Sequence, residues 1–178
     1  MATSQLNGAD MEPLWLTYAR AEIGTKEFPG TPDNPRIIKY WQDAGLTNVA
    51  DGQDEVPWCA AFVGSMLARA NMPGSGKANA RSYEAWGRKL LSPVLGCVVV
   101  LSRPPTAWQG HVGFYLSSDR AKRLIRIIGG NQSDSVSVAD FSIDRIVSLR
   151  WPASQTIIPE WVGPIPSVSP GSISNRED

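Results

Sequence analysis

Cys59 stands at the head of an apolar run, Pro57-Trp58-Cys59-Ala60-Ala61-Phe62-Val63. The only histidine, His111, follows 52 positions later in Gly110-His111-Val112-Gly113-Phe114. A thiol at a helix start is a ready nucleophile and a lone imidazole in a strand-like run is a ready base, so the pair supplies both halves of a cysteine hydrolase. A thiol with the ordinary pKa of about 8.5 is mostly protonated at neutral pH. Helix N-terminal amides, the helix dipole and a nearby imidazolium all favour the thiolate. The imidazole in turn needs an acceptor behind its second nitrogen to set its tautomer. The strand after that of His111 runs into Gly129-Gly130-Asn131-Gln132-Ser133. A hairpin between the two strands brings Asn131 near the ring, with the glycines allowing close backbone passage. Asn131 is therefore the expected orienting residue, with Gln132 and Asp134 as substitutes. The Cys59 amide and a donor from the preceding loop, Gln53, are the candidate oxyanion contacts.

Three elements must position these groups. From Pro13 to about Glu27, apolar residues at Leu14, Tyr18, Ala21 and Ile23 give a helical period, weakened at Gly24. Asn34 caps a second helix, with Pro35 in its first turn, Ile37, Ile38 and Trp41 on one face, and Gly45 as the stop. The third begins at Pro57, puts Cys59 in its first turn, and repeats apolar residues at Phe62, Val63, Met66, Leu67 and Ala70 before Asn71 and Pro73 end it. A further short helix is expected around Ala80–Lys89. After Pro93 come strand-like runs at Gly96–Leu101, His111–Ser117, Arg123–Ile128, Ser135–Val138 and Arg145–Trp151. Helices first and strands second point to an α+β fold, with N-terminal helices packed on an antiparallel sheet of about five strands. Residues 1–12 read as an extension, 13–152 as the domain, and 153–178 as a Pro/Ser-rich tail.

Composition limits the alternatives. The 178 residues suit one core and the apolar fraction of 42% is that of an ordinary globule, with no run long enough for a membrane helix. The opening MATSQLNGADMEP lacks a basic region followed by an apolar stretch, so no signal peptide is expected and synthesis ends in the cytosol. That context, with Cys59 at a helix start, favours a free thiol over a Cys59–Cys97 disulfide, and Cys97 reads as buried and inert. Two distant cysteines and one histidine make no zinc cluster, so neither a metal nor a cofactor is expected. Net charge is zero, but residues 76–130 carry nine basic and two acidic side chains. Such a stretch either attracts an anionic polymer or is scattered over solvated faces, and no nucleic-acid module accompanies it. Trp108, in the polar loop PPTAWQG before His111, reads as a groove aromatic. Trp58 reads equally as core or groove, and Gln132 is a further candidate substrate contact.

Four segments in order, PWCAAFV, GHVGFYL, IIGGNQSDSVSV and RIVSLRWP, together with the earlier EIGTKEFPGTPDNPRIIKYW, resemble the papain-like cell-wall hydrolases of the NlpC and CHAP group, most closely a phage-associated branch. The resemblance covers roughly residues 13–152. It implies a papain-like domain that hydrolyses amide bonds in the peptide part of bacterial peptidoglycan, as an endopeptidase or amidase, with Cys59 as nucleophile, His111 as base and Asn131 as third member. One departure is that a strand usually opening Gly-Asp in this branch opens here with Gly96-Cys97. The implied setting is a phage lysin or an injected antibacterial effector. Either acts as a monomer in the periplasm or wall after release or injection, with an immunity protein or holin encoded elsewhere. Two other readings share the fold: a non-catalytic wall-binding module, and an acyltransferase or deamidase using the same triad.

Overall fold

The computed structural model describes residues 12–30, 32–48 and 56–162. Its first helix, α1 (Leu14–Ala21), buries Trp15, Leu16 and Ala19. The Trp15 indole N–H donates to the carbonyl of Gly96 at 2.8 Å, and its ring stands edge-on to Trp151 at 5.2 Å. Those two contacts clasp α1 to the sheet. In α2 (Pro35–Asp43) the cap works as its residues require: the Asn34 side chain accepts from the Arg36 amide at 2.9 Å and donates to the Lys26 carbonyl at 2.6 Å. The third helix, α3 (Cys59–Arg69), is buried along its first nine residues and has no side-chain cap. A helix apolar on all sides belongs at the centre of the molecule, and each large side chain such as Phe62 or Met66 contributes about 1.5–3 kcal/mol there. A Cβ on Gly64 would lie 2.9 Å from that of Ala44, so the glycine is what lets the end of α2 approach α3.

The three helices are joined by buried charge. Arg69, at the end of α3, donates to Glu22 at 2.7 Å and to Asp43 at 2.9 Å, while Tyr40 and Arg36 also donate to Glu22. Burial alone would raise the pKa of Glu22, but the hydrogen bonds from Tyr40, Arg36 and Arg69 outweigh it and hold the carboxyl below its ordinary 4.5. A carboxylate with a lowered native pKa binds fewer protons folded than unfolded, so its stabilisation is complete above pH 4.5 and is lost as pH falls through the native value. Glu22→Gln is therefore expected to cost roughly 3 kcal/mol at neutral pH, because it removes the buried carboxylate that Arg36, Arg69 and Tyr40 share and leaves Arg69 only Asp43. The gap between the two proteins should close with acid. Urea midpoints of both, measured from pH 7 to pH 3, check this, and a gap independent of pH would contradict it.

The sheet is antiparallel in the order β1-β6-β2-β3-β4-β5. Its strands are β1 (Arg88–Lys89), β2 (Val98–Arg103), β3 (Thr106–Asp119), β4 (Leu124–Gly129), β5 (Ser137–Ser142) and β6 (Ile146–Trp151). Helices preceding an antiparallel sheet give the expected α+β class, with six strands in place of about five. The helix expected around Ala80–Lys89 is instead a 3-10 helix, Ala80–Ala85, followed by the edge strand β1. Gly87 explains the break. Its φ of +56° leaves helical space, and any Cβ there would fall against the Trp151 carbonyl, so the chain passes close enough for Arg88 to pair with Trp151. The polar stretch before His111, read as a loop, is the start of the 14-residue β3. Residues 153–162 open the stretch read as tail, yet they return to the core. The Leu95 amide donates to the Trp161 carbonyl at 3.1 Å and the Trp161 ring lies 5.7 Å from Trp151, which buries an indole that solvent would otherwise face.

Candidate active site

Cys59 is the first residue of α3 and is 7% exposed. The first intrahelical bond runs from the Phe62 amide to the Trp58 carbonyl, so the amides of Cys59, Ala60 and Ala61 lie ahead of the ladder at the positive end of the helix dipole. Trp58, one residue earlier, is fully buried. Its indole N–H donates to Glu27 at 2.6 Å and its ring is tilted against Tyr40 at 5.7 Å. Of the two roles considered for Trp58, core and groove, its burial is that of a core residue. It serves as the wedge that seats the start of α3. Trp108 is different: it is 66% exposed on the part of β3 leading to His111.

His111 pairs across β2 with Leu101 and is 2% exposed. Its Nε2 lies 3.0 Å from Oε1 of Gln132, and its ring packs on Phe141 at 5.5 Å. The orientation of the Gln132 amide follows from its other contacts. The amide nitrogen is 2.6 Å from the Ser137 carbonyl, which only accepts, and 3.1 Å from the Ser137 hydroxyl. Oε1 must then face the imidazole, and because it only accepts, His111 Nε2 carries the proton and Nδ1 becomes the nitrogen that takes one up. This is the tautomer a thiol-activating base requires.

The position behind the ring, expected of Asn131, is thus filled by Gln132, one of its two named substitutes. Asn131 is also buried, at 2% exposure, with a φ of +57°. Ser133 and Asp134 are left-handed as well, at +52° and +58°. Three such residues within four tighten the loop until the Gln132 amide donates to the Ser135 carbonyl at 2.9 Å, and this curl directs the next side chain along, Gln132, onto the ring. Asp134 takes part through its backbone, accepting from the Glu27 amide at 2.9 Å.

Two adjacent glycines relate the histidine to the cysteine turn. A Cβ on Gly129 would lie 3.1 Å from His111 Nε2, and one on Gly130 would lie 2.6 Å from Phe62 Cβ and closer still to the Trp58 ring. One two-residue segment therefore has the imidazole on one side and the first turn of α3 on the other, with room for no side chain at either position. Tyr83, unremarked in the sequence, also belongs here. Its hydroxyl is 3.5 Å from the Ala60 carbonyl, and its pKa is pushed up to about 12, chiefly by burial, with two bonds from Ser75 opposing and the charge of Cys59 adding to the rise. It is a neutral phenol at the head of α3. Its signal in sequence, a lone aromatic in a short helix, resembles that of any core tyrosine.

Gln53 lies outside the described residues. Cys59 and Cys97 are not joined by a disulfide; Cys97 is wholly buried, and burial pushes its thiol up to about 12 against one opposing backbone bond from Val94. Among the described residues no group of three or more His, Cys, Asp or Glu side chains is placed to hold a metal, and no helix is long and apolar enough to cross a membrane. Four of the nine basic side chains in the middle of the sequence are held by carboxylates. Arg81 pairs with Glu84, Lys122 with Asp119, Arg123 with Asp144, and Arg126 with Asp140 through two bonds of 2.7 Å. No protein-family model matches the chain, and neither a curated protein nor a solved structure matches it.

Proposed function

We propose that the chain is a papain-like cysteine hydrolase, of the NlpC and CHAP kind, that cuts amide bonds in the peptide part of bacterial peptidoglycan. The observation that carries this reading is the bond from His111 Nε2 to a Gln132 amide locked by Ser137. A base beside a thiol needs its tautomer fixed with Nδ1 left to take up a proton, and this bond fixes it in that form. In the proposed reaction the Cys59 thiolate attacks the amide carbonyl, and the helix-start amides stabilise the oxyanion. His111 hands its Nδ1 proton to the leaving amine, producing a thioester. The same nitrogen then takes a proton from water as it attacks the thioester carbonyl, and cleavage of the C–S bond releases the carboxylic acid and restores the thiolate beside a protonated imidazole. The site needs no cofactor for this. The protein acts as a monomer on the wall, reached after lysis or injection.

A wall-binding module would need a continuous cationic face, and the pairing of Arg81, Lys122, Arg123 and Arg126 with carboxylates weighs against it. An acyltransferase or deamidase is separated by its products. Purified sacculi treated with the protein should yield muropeptides in which each new free amine is matched by a new carboxylate. Ammonia release without shortened peptides would favour deamidation, and unchanged sacculi would overturn the hydrolase.

A further inference from the structure

A surface pocket of about 370 Å³ lies between the end of α1 and the start of α2, lined by Ile23, Lys26, Phe28, Asn34 and Arg36 among others. Two of the chain's exposed large apolar side chains, Ile23 at 49% and Phe28 at 46%, meet there. Lone exposed apolar residues are ordinary, but two facing one recess beside two cations are the composition of a binding site with an apolar wall and a charged anchor. Arg36 bonds Glu22 through Nε and Nη2, which leaves Nη1 for a second acceptor, and its side chain is 60% exposed. Among the described residues no carboxylate pairs with Lys26. The cluster beneath is also rich in positive charge: Glu22 and Asp43 face Arg36, Arg69 and Lys39. The nearby acids do not line the pocket, and Glu27 is engaged with Trp58.

The pocket wall is tied by backbone bonds to the loop that follows Gln132. Lys26 pairs with Ser135 in an isolated antiparallel bridge, flanked by bonds from Gly24 to Val136 and from Glu27 to Asp134. Ser135 accepts from the amide of Gln132, the residue behind His111, and Glu27 holds the indole next to Cys59. A peptide held at Lys26 is thus held by the same short segment that joins both halves of the site.

We propose that this pocket is a substrate subsite for an acidic peptide, with Lys26 and Arg36 receiving a free carboxylate and Ile23 and Phe28 covering the adjoining apolar atoms. It deepens the hydrolase reading and rests on it. The recognition is charge-assisted and two-pronged, so converting the carboxylate to a carboxamide should weaken binding about tenfold.

Calorimetry with the Cys59→Ala chain tests this without turnover, using a synthetic muramoyl pentapeptide and its counterpart with carboxylates amidated. The acid form should bind about tenfold tighter, Lys26→Glu in the same background should bring it down to the level of the amide, and Phe28→Ala should weaken both forms alike. Equal affinity of acid and amide, or an unchanged ratio in Lys26→Glu with its circular dichroism intact, overturns the subsite. Failure of the hydrolase reading appears separately. Carboxylate-dependent binding with no cleavage of sacculi by the unmodified protein rejects the enzyme and keeps the pocket, whereas cleavage without carboxylate-dependent binding rejects the pocket alone.

Discussion

Cys59→Ala is expected to abolish release of soluble muropeptides, lowering the rate by roughly 10⁴-fold or more, because without the sulfur no thioester forms and the remaining groups act only on water. The fold should survive. Alanine is the best helix former, the substitution removes one atom from a site already touching the surface, and α3 is held by Phe62, Met66 and Leu67 further along. Cys97 cannot take over, since it is wholly buried and its thiol is pushed up to about 12. Turbidity clearance of purified sacculi together with a thermal melt checks both halves. A folded Cys59→Ala protein that still clears them would show that the chemistry lies elsewhere.

Gln132→Ala is expected to lower kcat by roughly 10² to 10⁴-fold with little change in KM, the range for losing the residue that sets a catalytic imidazole's tautomer. Two buried groups lose their partner at once, His111 Nε2 and the Ser137 carbonyl, so a stability cost of about 1–3 kcal/mol accompanies it. Asn131→Ala, in the same loop and equally buried, is the comparison. It should cost stability through the loop while reducing kcat far less. A larger fall in kcat for Asn131→Ala than for Gln132→Ala would return the third position to Asn131.

The placement of Cys59 at a helix start was legible because Pro57 and the three-four apolar spacing after it define a helix by period alone. His111 was legible for the same kind of reason, since alternation in GHVGFYL gives a strand. The choice between Asn131 and Gln132 was not. It depends on left-handed φ values at Asn131, Ser133 and Asp134, and residue type biases a chain toward such values without dictating them. The helix expected through Lys89 failed at Gly87, where a long-range approach to Trp151 overrides local propensity. Trp58 looked equally suited to core and groove until its indole was found bonded to Glu27, a partner 31 positions away that no local pattern announces. The pocket beside Lys26 was likewise invisible, being assembled from a turn, a helix start and a bridge to the far hairpin.

In the proposed enzyme the cysteine at the head of α3 is activated by a histidine whose tautomer Gln132 sets. The most direct measurement is the rate of alkylation of each cysteine by iodoacetamide across pH 5 to 10, resolved by peptide mass spectrometry, in the unmodified chain and in His111→Ala. Cys59 is expected to react readily at pH 6 in the unmodified chain, its profile in His111→Ala to move up toward that of an ordinary thiol with a pKa near 8.5, and Cys97 to stay unlabelled in both until the protein is unfolded. Superimposable Cys59 profiles in the two proteins would contradict that activation.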